Sequence, residues 1–233
     1  MSKQLIPAGG LVVSCQALED EPLHGSSHMA AMARAAKQAG AVGIRANSLA
    51  DIRAIKAAVE LPVIGLLKRQ VEGYDVFITP TVEDAEAAAA AGADIVAIDA
   101  TSRPRPDGKT LEETLALLGR RGIAVMADVS TYEEGLQAAG WGAEYVSTTL
   151  CGYTAATAAT VLPNLDLVRR LAEQLDVQVV AEGGIYDPAQ AATALQLGAD
   201  FVVVGSAITR PQWIASRYVA AMQQVAEGRQ SET

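Results

Sequence analysis

Two charged side chains stand where they could move a proton. Lys68 follows the apolar residues 63–67, and Glu182 follows the apolar residues 179–181 and precedes two glycines. A lysine and a glutamate can each donate or accept a proton if burial and nearby charges bring the pKa of each toward the working pH. A flat carbanion held between them could be protonated from either face. The pair therefore indicates two-base chemistry, provided that the fold places the two residues opposite each other.

Four Gly-Ala junctions divide the chain at regular intervals. Each ends an Ala-rich stretch and begins a short apolar run, at Gly40, Gly92, Gly142 and Gly198. A glycine can end a helix in the left-handed conformation, and the apolar run after it is typical of a strand buried on both faces. A second series of apolar segments lies between the junctions, at residues 11–16, 62–68, 123–130 and 177–183. Two interleaved series of four predict eight strands.

Helices are expected between these strands. Several begin with a capping residue that is followed three positions later by an acid, at Ser48, Thr81, Thr110 and Thr131, and another begins at Asp187-Pro188. The alternation without a long linker predicts one (β/α)8 TIM barrel domain over residues 1–233. An open doubly wound sheet is the alternative, because Gly-Ala junctions occur in any α/β protein. The count of eight strands favours the barrel.

In such a barrel the chemistry lies at the carboxyl ends of the strands. Strands 3 and 7 are four apart in the ring, so Lys68 and Glu182 should face each other across the mouth. Arg45, at the end of strand 2, could lower the pKa of Lys68 by its charge. Other polar residues at strand ends are Gln16, Asn47, Asp99, Thr101, Asp128, Ser130, Thr148, Thr149 and Ser206.

Glycine-containing turns follow the last two strands. Gly183-Gly184 follows strand 7 and Gly205-Ser206 follows strand 8. Barrels commonly bind phosphate there through loop amides and a helix N-terminus. Thr209 and Arg210 add a hydroxyl and a cation nearby. These loops predict a phosphate site beside the Lys68–Glu182 pair.

Composition excludes several classes of protein. Half of the 233 residues are apolar and 19% are charged, which indicates a globular chain with a sizeable core rather than disorder. No apolar run approaches the roughly 18 residues of a membrane helix. A formal charge of −9 opposes nucleic-acid binding. Cys15 and Cys151 make no disulfide framework and no secretory signal is evident, so a cytoplasmic protein is expected.

No metal or organic cofactor is expected. The only two histidines, His24 and His28, nearly rule out a histidine-based metal site. Asp99 and Asp128 could form a carboxylate magnesium site, but the cations at strands 2 and 3 would compete for the same space.

Eight segments together resemble one family along nearly the whole chain. They are VSCQA (13–17), GIRAN (43–47), GLLK (65–68), ITPT (78–81), DATSRPRP (99–106), TTLCGYT (148–154), AEG (181–183) and VGSAITRP (204–211). The sequence is similar to the N-acylglucosamine-6-phosphate 2-epimerases, also called N-acetylmannosamine-6-phosphate 2-epimerases.

The resemblance implies conversion of N-acetylmannosamine 6-phosphate to N-acetylglucosamine 6-phosphate in sialic-acid and amino-sugar catabolism, on a TIM barrel without an organic cofactor. Lys68 and Glu182 match the catalytic pair of the family. The residues expected to contact the substrate are Gln16, Arg45, Asp128 and Thr148, and those expected around the phosphate are Gly183, Gly184, Gly205, Ser206 and Arg210. Gly184 departs from the family pattern, since many members are expected to carry a longer side chain there.

Two other functions remain open. Lys68 could form a Schiff base in an aldolase-like lyase, or the barrel could bind a phosphosugar without catalysis. The opposed acid and base distinguish an epimerase from a binding protein, which needs no such pair. The resemblance also implies a homodimer, and the C-terminal helix offers apolar residues for an interface at Pro211, Trp213, Ile214, Tyr218, Val219 and Met222.

Overall fold

The protein folds as a closed barrel of eight parallel strands. The computed structural model describes the backbone of residues 5–231 and the side chains of residues 5–227. The strands follow one another around the ring in chain order, and the eighth pairs with the first. They are β1 (Gly10–Cys15), β2 (Gly43–Asn47), β3 (Val63–Leu66), β4 (Ile95–Asp99), β5 (Val125–Asp128), β6 (Tyr145–Ser147), β7 (Gln178–Ala181) and β8 (Phe201–Val204). The predicted TIM barrel is confirmed and the open sheet is excluded.

Helices cover the outside of this barrel. They are α1 (Ser26–Gln38), α2 (Leu49–Ala58), α3 (Val82–Ala90), α4 (Leu111–Arg120), α5 (Tyr132–Gly140), α6 (Leu165–Gln174), α7 (Pro188–Gln196), the short α8 (Ser206–Thr209) and α9 (Pro211–Ser231). A 3₁₀ turn, Thr148–Leu150, follows β6. Across residues 5–231, no helix has the length and apolarity needed to cross a membrane.

The predicted helix boundaries agree with the structure. Reciprocal capping boxes begin helices at Thr81, Thr110, Thr131 and Asp187. At Ser48 the side chain accepts a bond from Asp51 N–H, but the Asp51 carboxylate bonds the Ser26 hydroxyl of α1 instead of returning to the cap (2.6 Å). The four junction glycines adopt φ values between 95° and 109°, as expected for residues that end helices in the left-handed region.

Alternation along the strands determines which side chains enter the barrel. One apolar layer fills the barrel interior, and a second lies between the strands and the helices. On β2, Ile44 and Ala46 belong to the outer layer, so Arg45 between them points inward. Residues 64 and 66 of β3 and residue 180 of β7 belong to the inner layer. The same period of two directs Lys68 and Glu182 into the mouth of the barrel.

Candidate active site

A pocket of about 420 Å³ opens at the carboxyl ends of the strands. This volume lies within the usual range for small-molecule sites. Its charged lining consists of three cations and two acids, namely Arg45, Lys68, Arg210, Glu21 and Glu182. Lys68 and Glu182 thus reach the same pocket from strands four apart in the ring.

Arg45 joins two carboxyl groups at the floor of this pocket. Its Nη1–H groups donate to Glu182 Oε2 (2.8 Å) and Asp128 Oδ1 (3.1 Å), and Nη2–H donates to Asp128 Oδ2 (2.5 Å). The side chains of Arg45 and Asp128 are 1% and 0% exposed. Burial alone would lower the pKa of Arg45, but the charges of Asp128 and Glu182 raise it above its ordinary value. The guanidinium therefore stays charged and fixes both carboxyl groups.

Residues at the end of β6 hold Glu182 from a second side. Thr149 Oγ1 lies 2.8 Å from Asp128 Oδ1 and 2.9 Å from Glu182 Oε2, and Ser147 Oγ lies 2.8 Å from Thr149 Oγ1. The Thr148 hydroxyl donates to the backbone carbonyl of Glu182 (2.8 Å) and accepts from its N–H (3.1 Å). Both the backbone and the carboxyl group of Glu182 are therefore positioned by β6.

The pKa values of the proposed acid–base pair move toward each other. Burial raises the pKa of Glu182, Arg45 opposes this, and Asp128 adds to it, so the pKa stays above its usual value. Loss of bulk water inside the pocket lowers the pKa of Lys68, and the positive charge of Arg45 lowers it further, while Glu182 acts in the opposite sense. Lys68 keeps access to solvent through the mouth, and its Nζ makes no ion pair with a residue that the structure describes. A closer match of the two pKa values favours proton transfer in either direction.

The β3–α3 loop anchors the backbone of Lys68. An antiparallel bridge pairs Lys68 with Ile78 of this loop, and the N–H of Lys68 donates to Oδ1 of Asn47, the last residue of β2 (2.8 Å). Thr79 has φ of 46°, which is unusual for a β-branched residue, and its N–H donates to Leu67 O (2.7 Å). The loop thus folds back on itself and holds the base of the lysine side chain at the pocket.

Arg210 is paired with an acid from the β1–α1 loop. Arg210 Nε–H donates to Glu21 Oε1 (2.6 Å), and Nη2 contacts the same oxygen. Glu21 also accepts from Leu18 N–H (2.7 Å) and from Gln212 Nε2 (2.8 Å). Partial burial would raise the pKa of Glu21, but these donors and the arginine charge lower it overall. The Nε–Nη2 edge of the guanidinium is therefore occupied, which leaves Nη1 for another partner.

The glycine turns bring the backbone close to the pocket. Gly183 and Gly184 have φ values of +101° and +70°. A Cβ atom on Gly184 would lie 2.3 Å from Leu162 Cβ, so the β6–α6 loop occupies the space that a side chain would need. A side chain at position 184 would therefore require Leu162 to move, and a longer residue there in other family members stays an expectation.

Nine of the eleven residues predicted for the site line the pocket, namely Gln16, Arg45, Lys68, Glu182, Gly183, Gly184, Gly205, Ser206 and Arg210. Asp128 and Thr148 do not line it. They are buried behind its wall, where Asp128 contacts Arg45 and Thr148 contacts the backbone of Glu182. In the free protein, these two residues therefore contact other residues of the site, and direct contact with the substrate stays a prediction for both.

Sequence reasoning did not assign a role to Thr149 or Glu21, although both line the pocket. Alternation could not have found Thr149, because β6 ends at Ser147 and Thr148–Leu150 form a 3₁₀ turn, in which the period of two no longer holds. No local signal marks Glu21 either, because it lies in a loop. Tyr186 also lines the pocket, and its ring packs on Trp213 of α9 with 4.6 Å between centroids.

The acidic pair considered for magnesium is engaged with cations. Asp99 accepts from Arg103 Nη2 (2.6 Å) and from the Thr101 hydroxyl (2.7 Å), while Asp128 is bound to Arg45. Over residues 5–227, no group of three or more His, Cys, Asp and Glu side chains is arranged to hold a metal ion.

A closed (β/α)8 barrel with a lysine and a glutamate in one pocket at the carboxyl ends of its strands is the architecture of a TIM-barrel enzyme. A family model described as "NanE: Putative N-acetylmannosamine-6-phosphate epimerase" matches residues 29–224. This chain belongs to that epimerase family.

Individual relatives agree with the family match. Proteins named "Putative N-acetylmannosamine-6-phosphate 2-epimerase" are 52% identical in Caldanaerobacter subterraneus, over 90% of both chains, and 45% identical in Clostridioides difficile, over 92% of this chain and 96% of the relative. The solved N-acetylmannosamine-6-phosphate 2-epimerase of Clostridium perfringens is 41% identical and superposes with a TM-score of 0.90, covering 93% of this chain and 94% of that one.

Proposed function

We propose that this chain, as one domain over residues 1–233, interconverts N-acetylmannosamine 6-phosphate and N-acetylglucosamine 6-phosphate without a metal or an organic cofactor. The observation that carries the proposal is the shared pocket of Lys68 and Glu182, which approach from opposite sides of the barrel. The names of the relatives at 45–52% identity support the substrate.

The reaction is proton abstraction next to a carbonyl group. Once the sugar ring has opened, the C2–H bond breaks, the proton passes to a base, and the bonding electrons form an enolate with its charge on the aldehyde oxygen. Arg45 is the nearest fixed positive charge that could stabilise this oxyanion. A proton returned to the opposite face of C2 inverts the centre. Lys68 is the principal acid–base group, and Glu182 either carries the second proton or assists ring opening.

Binding of the phosphate is assigned to the loops after β7 and β8. The amides around Gly183-Gly184 and Gly205-Ser206, together with Arg210, form the anion site. Gln16 contributes to recognition of the sugar, because its Nε2 donates to Ser14 Oγ (2.9 Å) while its buried Oε1 has no partner among the described residues. That oxygen can accept a bond from a hydroxyl or amide N–H of the substrate. Asp128 and Thr148 act through Arg45 and Glu182.

Incubating the enzyme with N-acetylmannosamine 6-phosphate in deuterium oxide tests the proposal. NMR should show deuterium entering C2 as the product appears. Lys68→Ala should lower turnover by at least about 10²–10⁴-fold, as for loss of a general acid–base group. Lys56→Ala is the matched control, because Lys56 pairs with Asp94 outside the pocket (2.8 Å) and should retain activity. Near-normal turnover of Lys68→Ala would remove this lysine from the mechanism.

Two further experiments separate one-base from two-base proton transfer and the epimerase from the lyase and the binding protein. If Glu182→Gln retains C2 exchange and net conversion together, Lys68 serves both faces of C2. Exchange without net conversion supports two proton carriers, because Lys68 alone would return the proton to the face from which it came. Loss of both indicates that Glu182 is needed before exchange, as in ring opening. A covalent lysine adduct after treatment with substrate and borohydride would favour a Schiff-base lyase. Tight binding without any exchange would favour a non-catalytic phosphosugar-binding protein.

We also infer a homodimer that functions in the cytoplasm in sialic-acid and amino-sugar breakdown. Support for the dimer comes from apolar side chains on α9 that are exposed in the single chain, with Tyr218 70% and Met222 72% accessible. Analytical ultracentrifugation should find a dimer, and Met222→Glu should weaken it. A monomer at micromolar concentration would contradict this inference.

A further inference from the structure

The hydroxyl group of Thr149 is surrounded by three oxygen atoms at hydrogen-bond distance. Ser147 Oγ and Asp128 Oδ1 each lie 2.8 Å from Thr149 Oγ1, and Glu182 Oε2 lies 2.9 Å away. A hydroxyl has a single hydrogen to donate and two lone pairs with which to accept. Three such contacts are therefore satisfied only when two of the neighbouring oxygens supply a proton.

Counting donors shows that one proton must come from a carboxyl group. Ser147 Oγ has Thr149 as its partner and can supply the first proton. The hydrogen of Thr149 serves one of the two carboxyl oxygens. If Asp128 and Glu182 were both ionised, the remaining carboxylate oxygen would face a lone pair of Thr149 at less than 3 Å. A proton on one of the two carboxyl groups removes that repulsion.

The arginine contacts indicate which carboxyl group carries the proton. Asp128 accepts from both Nη atoms of Arg45 in a bidentate pair, an arrangement that favours the ionised carboxylate. Glu182 accepts from Arg45 only through Oε2, the oxygen that also contacts Thr149. The negative charge therefore belongs on Asp128, and the proton belongs on Glu182.

We propose that Thr149 is a proton bridge: Glu182 Oε2 donates its proton to the Thr149 hydroxyl, which donates to Asp128, so that Glu182 is a neutral carboxylic acid in the free protein at neutral pH. Thr149 is thus a positioning residue for the acid–base pair.

The mechanistic consequence rests on the proposed function. Glu182 begins as the acid and Lys68, without its proton, as the base. In the reaction in which Glu182 carries the second proton, Lys68 takes the C2 proton and becomes an ammonium, while Glu182 gives its proton to the opposite face and becomes a carboxylate beside Arg45. The total charge of the pair is unchanged. Proton transfer from Lys68 to Glu182, directly or through solvent, then restores the starting state.

The test is a pH titration by carbon NMR of protein labelled at glutamate carboxyl carbons, without substrate. The Glu182 signal is assigned by its loss in Glu182→Gln. In the wild type, its midpoint should lie above neutral pH rather than near the ordinary value of about 4.3. Thr149→Val removes the acceptor of the acid proton, so the midpoint should fall by about one pH unit, equivalent to one hydrogen bond. Thr149→Ser keeps a hydroxyl and should stay near the wild type.

The sign of the shift separates this proposal from the simpler alternative. If Thr149 only donated to an ionised Glu182, its removal would destabilise the charged form and raise the midpoint. Either a higher midpoint in Thr149→Val or a wild-type Glu182 that is ionised at neutral pH would overturn the proposal. The titration of Glu182 in the wild type tests the proposal even if the valine variant does not fold.

Activity measurements provide a second readout. Thr149→Val should lower kcat more than it changes KM, and Thr149→Ser should restore kcat. The NMR titration needs no phosphosugar, so a failure of the proton bridge and a failure of the epimerase assignment are distinguishable.

Discussion

Replacing Arg45 with methionine tests whether one buried cation holds the site together. Methionine fills a similar space, but it leaves Asp128 without its bidentate partner and Glu182 without its arginine bond. Solvent cannot replace these bonds, because the Asp128 side chain is 0% exposed. Removing one partner of a buried ion pair costs about 3–5 kcal/mol. At about 2–4 °C per kcal/mol for a domain of this size, Tm should fall by roughly 6–20 °C.

The loss of unfolding free energy caused by Arg45→Met should depend on pH in a defined direction. The pKa of Glu182 is already raised in the folded protein, and loss of the cation should raise it further. A carboxyl group whose pKa is higher in the folded than in the unfolded state contributes stability that is fully present below the unfolded value. That stability is lost as pH rises through the folded value. The free energy of unfolding that Arg45→Met loses relative to the wild type should therefore be smaller at acidic pH and larger at alkaline pH.

Urea unfolding at several pH values measures this deficit. Arg105→Met is the matched control: Arg105 is also buried, but it donates to the backbone carbonyls of Asp99 (2.6 Å) and Thr79 (2.9 Å), which do not titrate. Its deficit should vary much less with pH. An Arg45→Met deficit that is equal at all pH values, or absent at neutral pH, would refute the reasoning.

Three further predictions concern the pocket. Lys68 must lose its proton to act as the base, so its pKa sets the acidic limb of kcat/KM. Because that pKa is lowered, partly by Arg210, this limb should lie below the range of an ordinary lysine and move to higher pH in Arg210→Gln. Glu21→Gln keeps an acceptor for Arg210 but removes a negative charge beside the anion site, so inorganic phosphate should inhibit a few-fold more tightly, most clearly at low salt. Gly184→Ala should cost about 1–2 kcal/mol for its positive φ and about 1–3 kcal/mol for the contact with Leu162, measured by urea unfolding. Leu162→Gly, which removes the Leu162 Cβ atom, should relieve only the second part, whereas Leu162→Ala keeps that atom and should relieve little of it. A full rescue by the double variant with glycine at position 162 would contradict this division.

The barrel could be predicted because its signals are local and repeated. Each Gly-Ala junction ends a helix by a backbone requirement, and the capping residues depend on neighbours only three positions away. The opposition of Lys68 and Glu182 then follows from the closure of eight strands in chain order. These parts of the structure needed no knowledge of long-range contacts.

The hydrogen bonds and ion pairs between residues of the site could not be predicted in the same way. Asp128 ends a strand, as a substrate contact would, but the length of Arg45 lets its guanidinium reach across the barrel and cover that carboxylate. Whether Thr148 or Thr149 faces the pocket depends on the 3₁₀ turn after β6, which a list of polar strand-end residues does not reveal. Glu21 reaches Arg210 across 189 positions of sequence, and no local pattern encodes that distance.

The charges of the site indicate which groups would hold the phosphate of the proposed substrate. Arg45, Lys68, Asp128 and Glu182 comprise two cations and two acids, so this acid–base set is neutral by itself whichever of the pair carries the proton. A phosphate dianion bound beside it gains little net attraction from that set. Arg210 is in turn partly compensated by Glu21. We therefore expect backbone amides of the loops after β7 and β8, which line the pocket at Gly183, Gly184 and Gly205, to supply much of the anion binding.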